Sequence, residues 1–413
     1  MQTNLASWAR DTELGKEAEE ILRRCVHCGF CLATCPTYQI LGDELDSPRG
    51  RIYLIKQVLE GVEPTVATQQ HLDRCLTCRN CETTCPSGVE YGALIDIGRN
   101  LVDQKVERPL AQKATRAVLR HTLNSPVFEP AYKLGRLVRG VLPETLKNKI
   151  PEARPAGVLP DGSRHARQVL MLAGCVQPAM MPTIDAATIR VLDAIGIGTQ
   201  VVAGAGCCGA INFHLDAQEA ALAQMRANID AWLPLLDSGA VEAVVMNASG
   251  CGAMVKEYAH HLRFDPHYVV KALRVVDKVR DIAELVAPHA EALKPAMLGL
   301  PERVAFHPPC TLQHWQGLRG LTERLLADLG FELHAFAESH LCCGSAGTYS
   351  VTQPELSKAL RDRKLQALAA AQPDCIVSSN IGCIGHLQSG TATPVRHWVE
   401  VVDQALAQAK AAA

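Results

Sequence analysis

Two runs of four cysteines share one spacing and lie 50 residues apart in the chain. The first run is Cys25, Cys28, Cys31 and Cys35, with a proline directly after the last cysteine. The second run has the same C-x2-C-x2-C-x3-C-P pattern and consists of Cys75, Cys78, Cys81 and Cys85. Three cysteines spaced in this way bind three corners of one cubane, and the cysteine before the proline binds the other cubane in two-cluster proteins. The two runs therefore predict a pair of 4Fe-4S clusters.

The same rule predicts that each run completes the other's cluster. The ligands expected for the first cluster are Cys25, Cys28, Cys31 and Cys85, and those expected for the second are Cys75, Cys78, Cys81 and Cys35. A pair of zinc sites and a disulfide framework are the alternatives. A zinc site needs only two C-x2-C pairs, so zinc binding would not explain the third closely spaced cysteine of each run or the proline after the fourth. Disulfide frameworks are typical of small secreted chains, whereas this chain has 413 residues.

Length and charge restrict the kind of protein further. A chain of 413 residues is long enough for about two or three domains, and its charged content of 20% is ordinary for a globular protein. A formal net charge of -2 does not favour nucleic-acid binding. No apolar run reaches the length of a membrane span, and the first ten residues lack the apolar core of a secretion signal. We expect a cytoplasmic protein, with any membrane contact peripheral at the inner face or made through a partner.

The order of patterns predicts an α+β multidomain protein. Residues 1–104 are expected to form a small all-α, ferredoxin-like domain that holds the two clusters, with helices at 11–24 and from Pro48 behind an N-cap at Ser47. Residues 105–167 contain recurrent prolines and 13 Lys or Arg against 5 Asp or Glu, an excess of +8. This stretch is predicted to be a basic helical connector. Its charge is either a solvated surface or a docking face for an acidic partner or an anionic lipid surface.

An internal repeat follows the connector. Each copy contains a single cysteine, then a Cys-Cys-Gly triplet 32 residues later, then another single cysteine. The first copy is expected to span 168–300 and the second 301–413, each as an α/β domain. The cysteines of the first copy are Cys175, Cys207, Cys208 and Cys251. Those of the second copy are Cys310, Cys342, Cys343 and Cys383.

Each of these cysteines follows a segment with the composition of a strand. The predicted strands are 169–173, 200–203 and 243–246 in the first copy and 304–306, 331–336 and 375–378 in the second. Predicted helices at 215–233 and 354–371 lie between them. Because alternating strands and helices form parallel sheets, the cysteine loops are expected to converge at the carboxyl ends of the strands.

The convergence predicts a metal ion or a further cluster in each repeat. Thiol redox chemistry without a metal, and packing that remains after loss of ligands, are the alternatives. Residues 204–209 also match G-x-G-x-x-G, a dinucleotide fingerprint. The second copy lacks the first two of these glycines but retains both cysteines, which argues against nucleotide binding. Several histidines lie near the cysteines and are interpreted as outer donors or solvated side chains: His27, His71, His307, His340 and His386. Cys375 has no counterpart in the first copy and is interpreted as a buried thiol.

The combination of motifs resembles a known family. A tandem ferredoxin-type module followed by two Cys-Cys-Gly domains is similar to the iron-sulfur subunits of flavin-linked hydroxyacid and glycerol-phosphate dehydrogenases, and distantly to heterodisulfide reductase subunits. The runs at 25–31, 42–46, 48–61, 71–88, 248–252, 339–349 and 380–383 resemble those of glycolate oxidase iron-sulfur subunits. In one respect the chain departs from cluster-binding Cys-Cys-Gly domains, which typically end in C-x-x-C. Ala248 and Asn380 stand where the first cysteine of that pair is expected.

This resemblance implies a subunit that transfers electrons and does not itself act on the substrate. The implied complex contains FAD-bearing partner subunits that oxidise glycolate to glyoxylate. The clusters then pass electrons towards an acceptor, with quinone or a membrane-associated acceptor expected. The corresponding subunit of a lactate or glycerol-3-phosphate dehydrogenase, a thiol-disulfide reductase subunit and a zinc-stabilised scaffold remain as alternatives.

Overall fold

The computed structural model of the chain describes residues 1–125, 127–137, 154–172 and 174–412. The chain divides into two compact units. The first consists of Met1–Ala117 together with His340–Lys364, and the second of Val118–Ser339 together with Leu365–Ala413.

The N-terminal part of the first unit is helical. Its helices are α1 (Ser7–Arg10), α2 (Glu13–Arg24), α3 (Pro36–Leu41), α4 (Pro48–Leu59), α5 (Val66–Asp73), α6 (Asn80–Thr84), α7 (Tyr91–Lys105) and the first turns of α8 (Leu110–Leu123). As predicted, Ser47 caps α4: its side chain accepts a hydrogen bond from Gly50 N at 2.9 Å, and Pro48 occupies the first turn. The described residues before Arg167 form no strand.

Apolar side chains at helical spacing form the core of this unit. Ile21 and Leu22 of α2, Ile55 of α4, and Leu94 and Ile95 of α7 are at most 1% exposed. Each is an aliphatic residue on the inner face of an amphipathic helix. The helices thereby hold the loops at 25–31 and 75–81 in fixed positions.

The predicted basic connector contains two helices with no buried residue, α8 and α9 (Phe128–Leu137). Exposed aliphatic residues occur on both, including Leu110 and Leu137 at 83% exposure each. Pro126 and residues 138–153 lie outside the described part of the chain.

The first repeat forms a parallel four-stranded sheet in the order β2-β1-β3-β4. Its strands are β1 (Arg167–Met171), β2 (Ile197–Gln200), β3 (Ala243–Met246) and β4 (Val279–Asp281). Its helices are α10 (Gln177–Met180), α11 (Pro182–Ala194), α12 (Ala210–His214), α13 (Gln218–Asp237), α14 (Ser249–Lys256), α15 (Tyr258–His261), α16 (Val269–Asp277), α17 (Ile282–Val286) and α18 (Ala290–Leu293). Cys175, Cys207 and Cys208 lie in the segments after β1 and β2, and Cys251 lies in the first turn of α14, just after β3; all follow the edge where the parallel strands end.

The second repeat contributes a parallel three-stranded sheet in the order β5-β6-β7. Its strands are β5 (Val304–His307), β6 (Cys375–Ser378) and β7 (Val395–His397). The helices along this part of the chain are α19 (Leu321–Asp328), α20 (Tyr349–Thr352), α21 (Pro354–Ala369), α22 (Ile381–Gln388) and α23 (Trp398–Ala412). The predicted class, a helical N-terminal module followed by α/β repeats with parallel sheets, is confirmed.

Several predicted strands differ in position from those of the structure. The first was predicted at 169–173 and is Arg167–Met171, and Ala173 lies outside the described residues. The second was predicted at 200–203, but β2 ends at Gln200 and the next residue, Val201, is 54% exposed. Two strands, β4 and β7, were not predicted, because each has only three residues.

The segment 331–336 was predicted as a strand and is not one. It makes a single bridge, between Leu333 and Val304, supported by hydrogen bonds from Val304 N to Glu332 O and from His334 N to Val304 O. Its alternation of apolar and polar residues is real, but two backbone bonds pair too few residues to continue the sheet. In addition, α13 begins at Gln218, three residues after the predicted helix start, and α21 ends at Ala369.

None of the described helices is both long enough and apolar enough to cross a membrane.

Candidate metal centres

The eight cysteines of the N-terminal module line two cavities in the first unit. One cavity is lined by Cys25, Cys28, Cys31, Cys85 and also Cys81. The other is lined by Cys35, Cys75, Cys78 and Cys81. Cys81 lines both cavities. If it is assigned to the second cavity, each cavity is lined by the first three cysteines of one run and the last cysteine of the other. This is the distribution that crossed ligation of two clusters requires.

The two cysteine loops have matching backbone conformations. His27 and Thr77 have φ angles of 57° and 52°, and two residues further on Gly29 and Arg79 have φ angles of 84° and 57°. Each pair is separated by the same 50 residues as the cysteines. Left-handed residues at these positions turn the chain between successive cysteines, so that three sulfurs can face one centre.

Burial shapes the acidity of these thiols. Burial raises the pKa of Cys31 to about 11 and also raises the pKa of Cys25, of Cys35 and, well above its usual range, of Cys81. Neighbouring cysteines add to this, since Cys85 acts on Cys25 and Cys78 acts on both Cys35 and Cys81. Iron binds cysteine as the thiolate, so these thiols release their protons when a cluster binds. The chemistry and grouping of these donors fit two 4Fe-4S clusters.

A buried ion network lies against the second cavity. Arg51 and Asp46 are 1% and 0% exposed, and Arg51 Nη2 donates to Asp46 Oδ1 at 3.1 Å. Asp46 also accepts from Arg74 Nη1 at 2.9 Å. Arg51 Nη1 donates to Thr37 Oγ1 at 3.2 Å, and that hydroxyl lies 3.3 Å from Cys35 Sγ. The network thus reaches a predicted ligand through one hydroxyl group.

The Cys342-Cys343 turn belongs to the same unit and contacts the second cysteine run. The buried Asn80 donates through Nδ2 to Thr34 O and to His340 O, each at 3.1 Å. Tyr349 donates its hydroxyl to Arg74 O at 2.9 Å. Asn80, the first residue of α6, therefore connects the segment before Cys35 with the segment before Cys342.

In the second unit the four cysteines of the first repeat come together. Cys175 and Cys207 share a hydrogen bond, and Cys208 is hydrogen-bonded to both Cys207 and Cys251. These bonds lower the pKa of Cys207, whereas they and burial raise the pKa of Cys175 and Cys208. Gly209 N lies 3.5 Å from Cys207 Sγ and donates to it. Four converging sulfurs with one low-pKa thiol form a donor set suited to a metal ion or a cluster.

Two buried polar side chains hold the Cys207-Cys208 turn. Tyr258 donates its hydroxyl to Cys208 O at 2.9 Å and accepts from Asn228 Nδ2 at 2.9 Å. Asn228 also donates to Cys207 O at 2.9 Å and accepts from Gly206 N at 2.8 Å. Neither residue was predicted from the sequence. Asn228 lies on α13 and Tyr258 begins the short helix α15, and no repeated spacing marks either of them.

The second repeat places its cysteines in both units. Cys342 and Cys343 are in the first unit, and Cys310 and Cys383 are in the second. Their grouping into one site rests on the internal repeat alone. Gly344 N donates to Cys342 Sγ at 3.4 Å, which reproduces the Gly209 contact of the first repeat.

The structure also places other residues that the sequence singled out. Asn380 donates through Nδ2 to Cys383 Sγ at 3.6 Å, so the amide that replaces a cysteine still contacts the remaining one. Cys375 is 4% exposed within β6. His71 Nδ1 lies 3.2 Å from Asp46 Oδ1, and His307 is fully buried at the end of β5.

Comparison with known proteins agrees with this arrangement. Residues 21–89 match the 4Fe-4S dicluster domain, and residues 169–256 and 304–388 match the cysteine-rich domain. The chain is therefore an iron-sulfur electron-transfer protein with a dicluster module and two cysteine-rich domains. The glycolate oxidase iron-sulfur subunit of Escherichia coli (strain K12) is 54% identical over 98% of this chain and 99% of its own length. The chain belongs to the family of glycolate oxidase iron-sulfur subunits.

Two further relatives are more distant. The probable glycolate oxidase iron-sulfur subunit of Bacillus subtilis (strain 168) is 31% identical over 89% of each chain. Lactate utilization protein A of Geobacillus thermodenitrificans (strain NG80-2) is 26% identical over 57% of this chain and 98% of its own.

Proposed function

We propose that this chain carries electrons from FAD-containing subunits, which oxidise glycolate to glyoxylate, towards an acceptor of the quinone class. The observation that carries the proposal is the 54% identity along 98% of the chain to a glycolate oxidase iron-sulfur subunit. The two cysteine-lined cavities of the first unit supply the matching chemistry. Without a membrane-spanning helix among the described residues, a quinone acceptor implies peripheral contact at the inner face of the cytoplasmic membrane.

We propose crossed ligand sets for the two clusters. Cys25, Cys28, Cys31 and Cys85 hold the first, and Cys75, Cys78, Cys81 and Cys35 hold the second. The grouping of sulfurs around the two cavities supports this assignment. When bound, the clusters accept and release single electrons, which suits a chain placed after a flavin that receives two.

The residues around the cavities have supporting roles. The helical core excludes water from the inner sulfurs, since Cys35, Cys75 and Cys81 are at most 7% exposed. Tyr91 donates its hydroxyl to Cys75 Sγ at 3.6 Å. Hydrogen bonds to ligand sulfur stabilise added negative charge on a cluster, so Tyr91 favours the reduced form.

A further metal or cluster is proposed for each repeat. In the first repeat the ligands are Cys175, Cys207, Cys208 and Cys251, and their mutual hydrogen bonds support the assignment. In the second repeat they are Cys310, Cys342, Cys343 and Cys383.

Reduction by substrate tests the proposal. The full chain, purified anaerobically with its flavin-bearing partner subunits, is mixed with glycolate, and the clusters are followed by visible bleaching and EPR. Glycolate is expected to reduce them at a rate that lactate and glycerol 3-phosphate do not match. Faster reduction by lactate would assign the chain to a lactate-oxidising complex, an alternative that the similarity to lactate utilization protein A supports. Clusters that no hydroxyacid reduces would leave the thiol-disulfide alternative.

A further inference from the structure

Arg51 is a buried cation placed between the two segments that carry the second ligand set. Its guanidinium donates on one side to Thr37 Oγ1 at 3.2 Å, two residues after Cys35, and on the other to His71 O at 2.7 Å, four residues before Cys75. The side chain is 1% exposed, so water screens its charge poorly. The guanidinium therefore acts on both halves of the second set.

The ion network around Arg51 contains charges of both signs. Arg51 and Arg74 both contact Asp46, at 3.1 and 2.9 Å. The carboxylate of Asp43 also lies within 4.8 Å of that of Asp46, but Asp43 is exposed, so water screens its charge. Burial opposes the charged form of Arg51, but the neighbouring Cys75 and Cys35 favour it and its pKa stays above the usual range. Arg51 accordingly remains charged throughout the accessible pH range.

Among the described residues, no side chain gives the first ligand set an equivalent buried charge. Arg49 lies on the same helix as Arg51 and donates to His27 O at 3.4 Å. It is paired with Glu44 at 2.8 Å, and the two side chains are 30% and 44% exposed. A neutral, partly solvated pair has little effect on a nearby charge. The terminal ammonium group of Met1 donates to the carbonyl oxygen of Cys25 at 2.7 Å, but Met1 is only partly buried, so water screens this charge.

We propose that the buried Arg51 guanidinium raises the reduction potential of the second cluster and so helps to draw electrons from the first cluster to the second. One-electron reduction adds one negative charge to the centre held by Cys75, Cys78, Cys81 and Cys35. A fixed positive charge in a low-dielectric environment stabilises that added charge. Arg51 is thus a positioning and tuning residue of the electron relay. The inference rests on the crossed ligand sets proposed above.

An anaerobic redox titration of the full chain, followed by EPR, tests the inference. In Arg51→Gln the midpoint potential of one cluster is expected to fall, while that of the other stays unchanged. The shifted cluster must be the one that remains intact in Cys28→Ser, because Cys28 belongs to the first set. Arg49→Gln is the matched control from the same helix and is expected to move neither potential.

Opposite variants separate charge from general disruption. Asp46→Asn removes the negative partner and is expected to raise the same midpoint potential, whereas Arg51→Lys keeps it near the wild-type value. Unchanged potentials in Arg51→Gln, or shifts of the same sign in Arg51→Gln and Asp46→Asn, would overturn the inference.

Iron analysis distinguishes this inference from the proposed function. Wild-type protein without 4Fe-4S clusters contradicts the proposed function, whereas intact clusters with unmoved potentials contradict only the role of Arg51. If Arg51→Gln loses iron, Arg74→Gln takes its place, because that side chain is 24% exposed and supplies charge to the same network. A smaller fall in the same midpoint potential is then expected, and no fall refutes the inference.

Discussion

At the scale of single residues, buried polar side chains fix the turns that present the cysteines. Tyr258 and Asn228 are 0% and 1% exposed, and together they make three of the hydrogen bonds to the 206–208 backbone. A buried polar group must be paired, so each one specifies a single conformation of the turn. The geometry of the four sulfurs in the first repeat depends on these bonds.

Tyr258→Phe is expected to destabilise the second unit by about 1–3 kcal/mol, because Cys208 O and Asn228 Nδ2 both lose a buried partner. The matched control is Tyr268→Phe, whose hydroxyl donates to Asp230 at an exposed position and whose loss is expected to cost less than about 0.5 kcal/mol. Urea unfolding followed by tryptophan fluorescence measures both. Equal losses in the two variants would contradict a role for Tyr258 in the turn.

The sequence identifies residues with repeated spacing better than residues that support them. The eight N-terminal cysteines stand out because one spacing occurs twice, and the eight cysteines of the repeats stand out for the same reason. Arg51 and Asn228 lie on amphipathic helices, where a single polar residue looks like part of the solvated face. Only the packing of neighbouring helices shows that they are buried, and packing cannot be read from spacing.

At the scale of elements, the glycine of each Cys-Cys-Gly triplet allows close contact with a helix. Gly209 and Gly344 have φ angles of 92° and 88°. A Cβ atom at Gly344 would lie 2.5 Å from Ser357 O of α21, and one at Gly209 would lie 3.2 Å from Ala221 O of α13. The backbone conformation therefore favours glycine at both positions, and at Gly344 the space requires it as well.

Gly344→Ala and Gly347→Ala separate these two requirements. Both positions have positive φ angles, but a Cβ at Gly347 has no heavy atom within 4 Å. Gly347→Ala is expected to cost about 1–2 kcal/mol for the left-handed conformation alone. Gly344→Ala is expected to cost more than about 3 kcal/mol, because α21 must also move. Thermal unfolding of the two variants provides the test, and similar losses would contradict the close approach.

Element type could be predicted from the sequence more reliably than element position. Short apolar runs bounded by turns predicted the correct limits for β3 and β6, which lie within their sheets and are buried at every position. Edge segments were less predictable: β2 and the 331–336 segment each pair on one side only. The limits of these segments depend on how far the neighbouring strand extends, and the local amino-acid composition does not specify that extent.

At the scale of the whole molecule, positive charge is concentrated in one stretch of a nearly neutral chain. Residues 105–167 have an excess of +8, whereas the whole chain has a formal charge of -2. On α8 and α9 the charged side chains accompany exposed aliphatic residues, which suits a surface that binds a partner.

Binding of the partner subunits is expected to weaken as salt increases, because exposed charges are screened within about 8 Å at physiological ionic strength. The double variant Lys113→Glu and Lys133→Glu is expected to weaken it further. Both side chains are well exposed, at 46% and 65%. Arg136 is less suitable because it donates to Met180 O, and Arg139 lies outside the described residues.

Lys16→Glu is the control for this experiment, since Lys16 is 59% exposed on α2, outside the connector. Partner affinity is measured by biolayer interferometry over a series of salt concentrations. Association that does not depend on salt, or an equal effect of the control, would mean that the connector charge is only a solvated surface.

Crossed ligation is the claim on which the account of the relay depends, and Cys35→Ser tests it most directly. Wild-type protein purified anaerobically is expected to hold about eight irons in its two N-terminal clusters. Cys35→Ser is expected to alter the EPR signal that Cys78→Ser alters, and to leave intact the signal that depends on Cys28. If Cys35→Ser instead alters the signal that depends on Cys28, each run holds its own cluster and the crossed assignment is wrong.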